Sequence, residues 1–197
     1  MEQVVTLSPE DIKSILEQNT AEDQGKCPYN LPCVEQAIRV RCADIAKTII
    51  DFCFSQKSDP AHRRWLIEIL HTTAMSQELT AKQALRFLFL IEREERNGHL
   101  KGAALIQAIE CLGGQTYAPA LVQFLDILVR KKRVSGWRWT AYTIIGVLLS
   151  RQTQFHLRKE LTEELVLEAR NETDSSKRDR LIFLSGRLAE HQKTSLE

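Results

Sequence analysis

No stretch of this chain is long and apolar enough to cross a bilayer. The longest uncharged apolar run lies around Ala141 to Leu149, far short of the roughly 20 residues a spanning helix needs. Met1 to Val5 shows no basic region leading into an apolar core, so no secretory leader is read there, and a cytoplasmic protein is expected. Only 8 glycines and 5 prolines interrupt 197 residues, which disfavours a turn-rich β architecture and leaves long segments uninterrupted. Neither sign of charge dominates, since 27 Lys and Arg face 26 Asp and Glu. A global basic excess for nucleic acid is therefore missing, and any such claim rests on local charge. The five cysteines, an odd number, lack metal-ligand spacing, and a chain of this size does not depend on disulfide staples. No phosphate-binding loop, dinucleotide fingerprint, nucleophile elbow or zinc-protease signature appears. These absences name no catalytic residue, metal or cofactor, and weigh against an enzyme without deciding the matter.

What is present is helical. Leu, Ile, Ala, Glu, Gln, Lys and Arg dominate, and apolar residues recur at spacings of three and four. Ser8-Pro9-Glu10-Asp11 combines a cap, a first-turn proline and an acid, which predicts a helix from Pro9 to about Gln18. The Gly- and Pro-containing stretch from Thr20 to Leu31 then predicts a loop. The chain accordingly divides into an N-terminal appendage, 1–31, and a helical body, 32–197. In the body, Val34 to Cys53 carries one stripe, and Ser58-Asp59-Pro60 opens a helix ending near Met75. Thr80 caps a helix ending in Glu92 to Arg96 with Gly98 as its stop, and the next runs from Leu100 to Leu112. Pro119, Gly136, Leu161 and Ser176 mark the starts of four more.

About nine helices with no strand leave an open stack of hairpins or an irregular bundle. Self-similar segments favour the stack: Ala104 to Ile109, Ala141 to Gly146 and Leu181 to Gly186 follow one another at about 37 to 40 residues. Asp174 and Arg180, six apart and followed by Leu181, Leu184 and Leu188, resemble the Asp and Arg of a HEAT repeat. Pro119, Asp126, Arg138, Ala141 and Ile145 resemble a second unit, and Asp59 with Arg63 or Arg64 a looser third. The resemblance spans Asp59 to Glu190. It implies an all-α, HEAT-like (armadillo-type) α-solenoid of antiparallel helix pairs whose second helices line a concave binding face. Arg138, at the position that resembles the structural HEAT arginine, would bond within the stack, and the spacing of Asp174 and Arg180 suggests a bond between the two helices of the last unit.

The segment from Ile127 to Lys159 holds Arg130, Lys131, Lys132, Arg133, Arg138, Arg151, Arg158 and Lys159 and no acid. Two readings stay open, a solvated loop with helix ends or a site for a polyanion or an acidic protein. Trp137-Arg138-Trp139 follows at once, and aromatics beside guanidiniums suit base stacking and phosphate contact, although Trp137 also fits the buried stripe. The candidate binding residues are thus Arg130, Lys131, Lys132, Arg133, Trp137, Arg138 and Trp139. The expected function is a non-enzymatic scaffold for a protein partner with an acidic segment. The alternative is a nucleic-acid binder or a HEAT-like DNA glycosylase using residues 127–159. The Glu92 to Arg96 run reads as a solvated helix end, and no histidine sits at recognisable spacing from an acid. Cys27 and Cys33 close a proline-flanked loop, read as ordinary thiols, a loop disulfide or a redox pair.

Overall fold

A computed structural model describes residues 8–18, 42–55, 60–71, 79–100, 103–131 and 136–194. Among these the secondary structure is entirely helical, with no strand. The α-helices are α1 (Pro9–Gln18), α2 (Cys42–Phe54), α3 (Pro60–Ile69), α4 (Ala81–Arg96), α5 (Ala104–Cys111), α6 (Ala118–Lys131), α7 (Trp137–Ser150), α8 (Lys159–Arg170) and α9 (Ser175–Thr194). They fall into two compact units, Met1–Ala104 and Leu105–Glu197.

Helix starts are set by local chemistry. The Ser8 hydroxyl accepts from the Asp11 backbone N–H at 3.1 Å, and the Asp11 carboxylate accepts from the Ser8 backbone N–H at 2.8 Å. Thr80 and Gln83 make the same reciprocal pair, so α1 and α4 each begin with two amide donors satisfied. The Gly98 backbone, at φ 75°, ends α4 in the left-handed turn that glycine adopts without a Cβ penalty. The His99 N–H then returns to the Glu94 carbonyl at 2.8 Å and the Gly98 N–H to that of Glu95 at 3.0 Å. The predicted extension of α3 toward Met75 lies outside the described residues, as do Val34 and Ile38 of the stripe that continues to Cys53. The helix expected from Leu100 is shorter than its pattern, running from Ala104 to Cys111.

In the first unit α2 packs on α1, α3 and α4, and α3 packs on α4. The expected stripes are the buried ones: Ile45, Ile49 and Cys53 on α2, Leu66 on α3, and Ala84, Leu88 and Ile91 on α4. In the second unit α6 packs on α7 and α8, and α9 packs on α7 and α8. Leu121 and Leu125 on α6, Ile144, Ile145 and Leu148 on α7, Leu165 on α8 and Leu188 on α9 are all sealed from solvent. Each such Leu or Ile contributes about 1.5–3 kcal/mol through removal from water. The Tyr142 hydroxyl crosses this core to donate to the Leu165 carbonyl, with the Ser185 hydroxyl 3.3 Å away, and burial pushes its pKa up. Gly113 lets the end of α5 meet α7, because a Cβ there would stand 2.5 Å from the Val147 methyl Cγ1.

Candidate interaction surface

Among the described residues, the basic segment is partly paired with acids. Arg130, at the end of α6, reaches Asp126 at 3.1 Å, and Arg158 reaches the other oxygen of the same carboxylate. Arg138 donates to Glu168 of α8 at 2.7 Å, and Lys159 lies 3.7 Å from Glu163. Four of the eight cations are therefore met by acids outside the acid-free stretch. Lys131 is exposed at the end of α6, and Lys132 and Arg133 lie outside the described residues. The two tryptophans part company: Trp137 is buried, with the Arg138 guanidinium 5.8 Å from its ring, while Trp139 is 41% exposed. Successive helical residues diverge by about 100°, so residues two apart face nearly opposite ways.

Trp139 opens onto a groove of about 420 Å³ whose walls come from α5, α7 and α9. Its polar edges are Glu110, Arg180 and Arg187, and its apolar lining includes Ile106, Val147 and Leu184. Gly146 contributes no side chain, and a Cβ there would meet only Leu184, at 4.0 Å, so the groove floor is open at mid-helix. The Arg180 guanidinium lies over the Trp139 ring, 5.1 Å from its centroid. Neither Arg180 nor Arg187 makes an ion pair among the described residues. Arg180, Phe183, Leu184 and Arg187 stand at positions i, i+3, i+4 and i+7 of α9, one face of the helix. That spacing was visible in the sequence, but Arg180 was assigned there to a bond inside the repeat.

Asp174 does not pair with Arg180. Asp174 accepts from the Lys177 backbone N–H at 3.0 Å, as a cap on α9, and its other oxygen lies 3.8 Å from the Lys177 ammonium. The i to i+3 cap is the shorter reach, and it leaves Arg180 to stack on Trp139.

The Glu92 to Arg96 run also differs from its reading as a solvated helix end. Glu94 is fully buried. Its carboxylate lies 3.0 Å from Arg63 of α3, accepts from Arg93 at 2.8 Å, and sits 2.8 Å from His99 Nδ1. His99 is thus partnered by an acid five residues back, brought there by the turn at Gly98. Burial alone would push the Glu94 carboxyl up, but the bonds from His99, Arg63 and Arg93 outweigh it and hold the group below the usual carboxylate range. Arg93 also donates to the Cys53 carbonyl at 2.7 Å and covers the Phe54 ring at 4.6 Å. With two guanidiniums already compensating Glu94, the cluster ties α2, α3 and α4 together as a structural node. A signal existed in the sequence, because Glu94 continues the stripe of Phe87 and Ile91.

Cys53 is buried, and desolvation pushes its thiol up to about 12, so it is a core residue and not a nucleophile. Cys27 and Cys33 lie outside the described residues. Among the described residues no three His, Cys, Asp or Glu side chains converge as a metal site, and no helix is long and apolar enough to cross a membrane. Comparison of the chain with protein-family models, with curated proteins and with solved structures gives no match.

Proposed function

We propose that this chain is a non-enzymatic protein-interaction module, built as a HEAT-like stack of antiparallel helix pairs and binding through the face of its second helices. The packing order of the second unit supports the stack. An up-and-down bundle packs consecutive helices together and closes the last onto the first. Here the strongest packings join consecutive helices, α8 on α9 and α6 on α7, and to these are added α7 on α9 and, more lightly, α6 on α8. The added packings are second helix on second and first on first, as repeat stacking requires.

The observation that carries the function is the groove on α5, α7 and α9, with a large aromatic ring exposed at its edge and two arginines that have no acidic partner among the described residues. Exposed Trp and Arg are the side chains that most often anchor protein interfaces. Pairing of four cations in the basic segment with the three carboxylates of Asp126, Glu163 and Glu168 favours a protein partner over a polyphosphate. A photocrosslinking amino acid at Thr143 or Ser150 tests the reading against the same group at Gln123 or Glu160, exposed on α6 and α8. Protein adducts confined to the groove positions support it. Nucleic-acid adducts, or equal yields from both faces, refute it.

A further inference from the structure

Resting on that reading, we infer that the groove between α7 and α9 takes an amphipathic helix from a partner protein, with two carboxylates seven residues apart set on Arg180 and Arg187. The argument starts from register. Arg180 and Arg187 are two turns apart on α9, about 10 Å along its axis. Between them, on the same face, stand Leu184, which lines the groove, and Phe183, which is 62% exposed. A helix laid alongside meets a charged, apolar, apolar, charged face at its own period, i, i+3, i+4 and i+7, the spacing by which helices seat in apolar grooves.

The α7 wall is shaped for such a guest. Trp139, Thr143, Gly146 and Ser150 follow one another at spacings of four, three and four along the groove. Trp139 gives a flat apolar wall at the Arg180 end, and Gly146 removes the side chain that would otherwise fill the middle. Glycine inside a helix is less favourable than alanine, so its presence in α7 is unfavourable for the helix itself and consistent with close approach by another surface.

Charge selects the guest. Guanidiniums without an ion-pair partner beside an apolar strip attract carboxylates, and a desolvated arginine–carboxylate contact is bidentate and directional. Glu110, on the groove wall, repels a continuous phosphate chain but leaves room for discrete carboxylates set on the opposite, α9 side. The partner is therefore acidic and helical, with its apolar residues between the two acids.

The test uses the full-length protein and two fluorescent 16-residue helical peptides of identical composition. In the matched peptide two Glu stand seven apart with Leu at the third and fourth positions between them. In the shifted peptide the same Glu stand five apart and face different sides. The matched peptide is expected to bind at least tenfold more tightly. Arg180→Gln and Arg187→Gln are each expected to weaken it about tenfold, equivalent to ~1.4 kcal/mol. Both side chains are exposed, and circular dichroism checks that the fold is retained. As an internal control, Arg187→Glu is expected to lose the matched peptide and to gain one in which the facing Glu is replaced by Lys, which a misfolded variant cannot do. Equal binding of the two peptides, no binding of either, arginine variants with unchanged affinity, or displacement of the matched peptide by oligothymidylate overturns the inference. Groove-specific protein crosslinks from Thr143 alongside failure of the matched peptide would leave the interaction module standing and remove only the acidic-helix partner.

Discussion

Gly113→Ala probes the tightest approach in the second unit. A Cβ at this buried position would lie 2.5 Å from Val147 Cγ1, 3.2 Å from the Glu110 carbonyl oxygen and 3.4 Å from Arg151 Cγ. Carbon atoms at rest stand about 3.5–4.0 Å apart, so the methyl contact must open by roughly 1 Å or more. Val147 cannot easily swing away, because a β-branched side chain inside a helix holds essentially one χ1 rotamer. Overpacking of this kind costs about 1–3 kcal/mol. Alanine also restricts the unfolded chain, which returns about 0.4–1 kcal/mol. The expected net loss is about 1–2 kcal/mol, read from the midpoint of a urea transition against the parent. Gly114→Ala is the matched control, since a Cβ there meets nothing within 4 Å. Val147→Ala in the Gly113→Ala background removes the clashing methyl and should recover part of the loss, giving a coupling energy in a double-mutant cycle. If Gly113→Ala and Gly114→Ala unfold at midpoints equivalent to less than about 0.5 kcal/mol apart, the steric reasoning is wrong.

Glu94→Gln is expected to destabilise the first unit by about 3–5 kcal/mol, because Arg63, Arg93 and His99 then surround a buried group without its charge. The Glu94 pKa is lowered on folding, so its contribution is fully present above the ordinary value of 4.5 and fades as pH falls below it toward the folded pKa. A melting-temperature series through that acid range should be shallower for Glu94→Gln than for the parent. Gln152, at φ 51°, ends α7 with the Thr153 N–H returning to the Leu148 carbonyl, and Gln152→Gly should raise stability by up to about 1 kcal/mol in equilibrium unfolding. Alkylation of the native protein near neutral pH, mapped by mass spectrometry, should label exposed Cys111 and spare Cys53, whose thiol is raised to about 12. Rapid native-state labelling of Cys53 would contradict its burial.

The elements of this protein were largely legible in its sequence because their signals are short-range. A cap, a first-turn proline and an acid within four residues were enough to place α1 at Pro9 to Gln18, and Thr80 and Gly98 bracket α4 in the same way. The apolar stripes on α2, α4, α6 and α7 turned to the core, since a period near 3.6 both makes a helix amphipathic and states which side is buried.

Only the tertiary structure decided what the charges do. The acid-free stretch from Ile127 to Lys159 looks strongly basic in one dimension, but Glu168, 30 residues beyond Arg138, closes against it, and Asp126 binds Arg158 from 32 residues away. Glu94 sits in a run of charges that reads as solvated until α3 brings Arg63 across and the turn at Gly98 returns His99. Asp174 stands six residues before Arg180 in sequence, yet its carboxylate caps the start of α9, and the arginine lies over the Trp139 ring instead. Backbone periodicity is a property of neighbours three and four residues apart, which a sequence displays directly. Coulombic and stacking partners are chosen by proximity in space, so the groove on α5, α7 and α9 exists only once the helices that line it have packed.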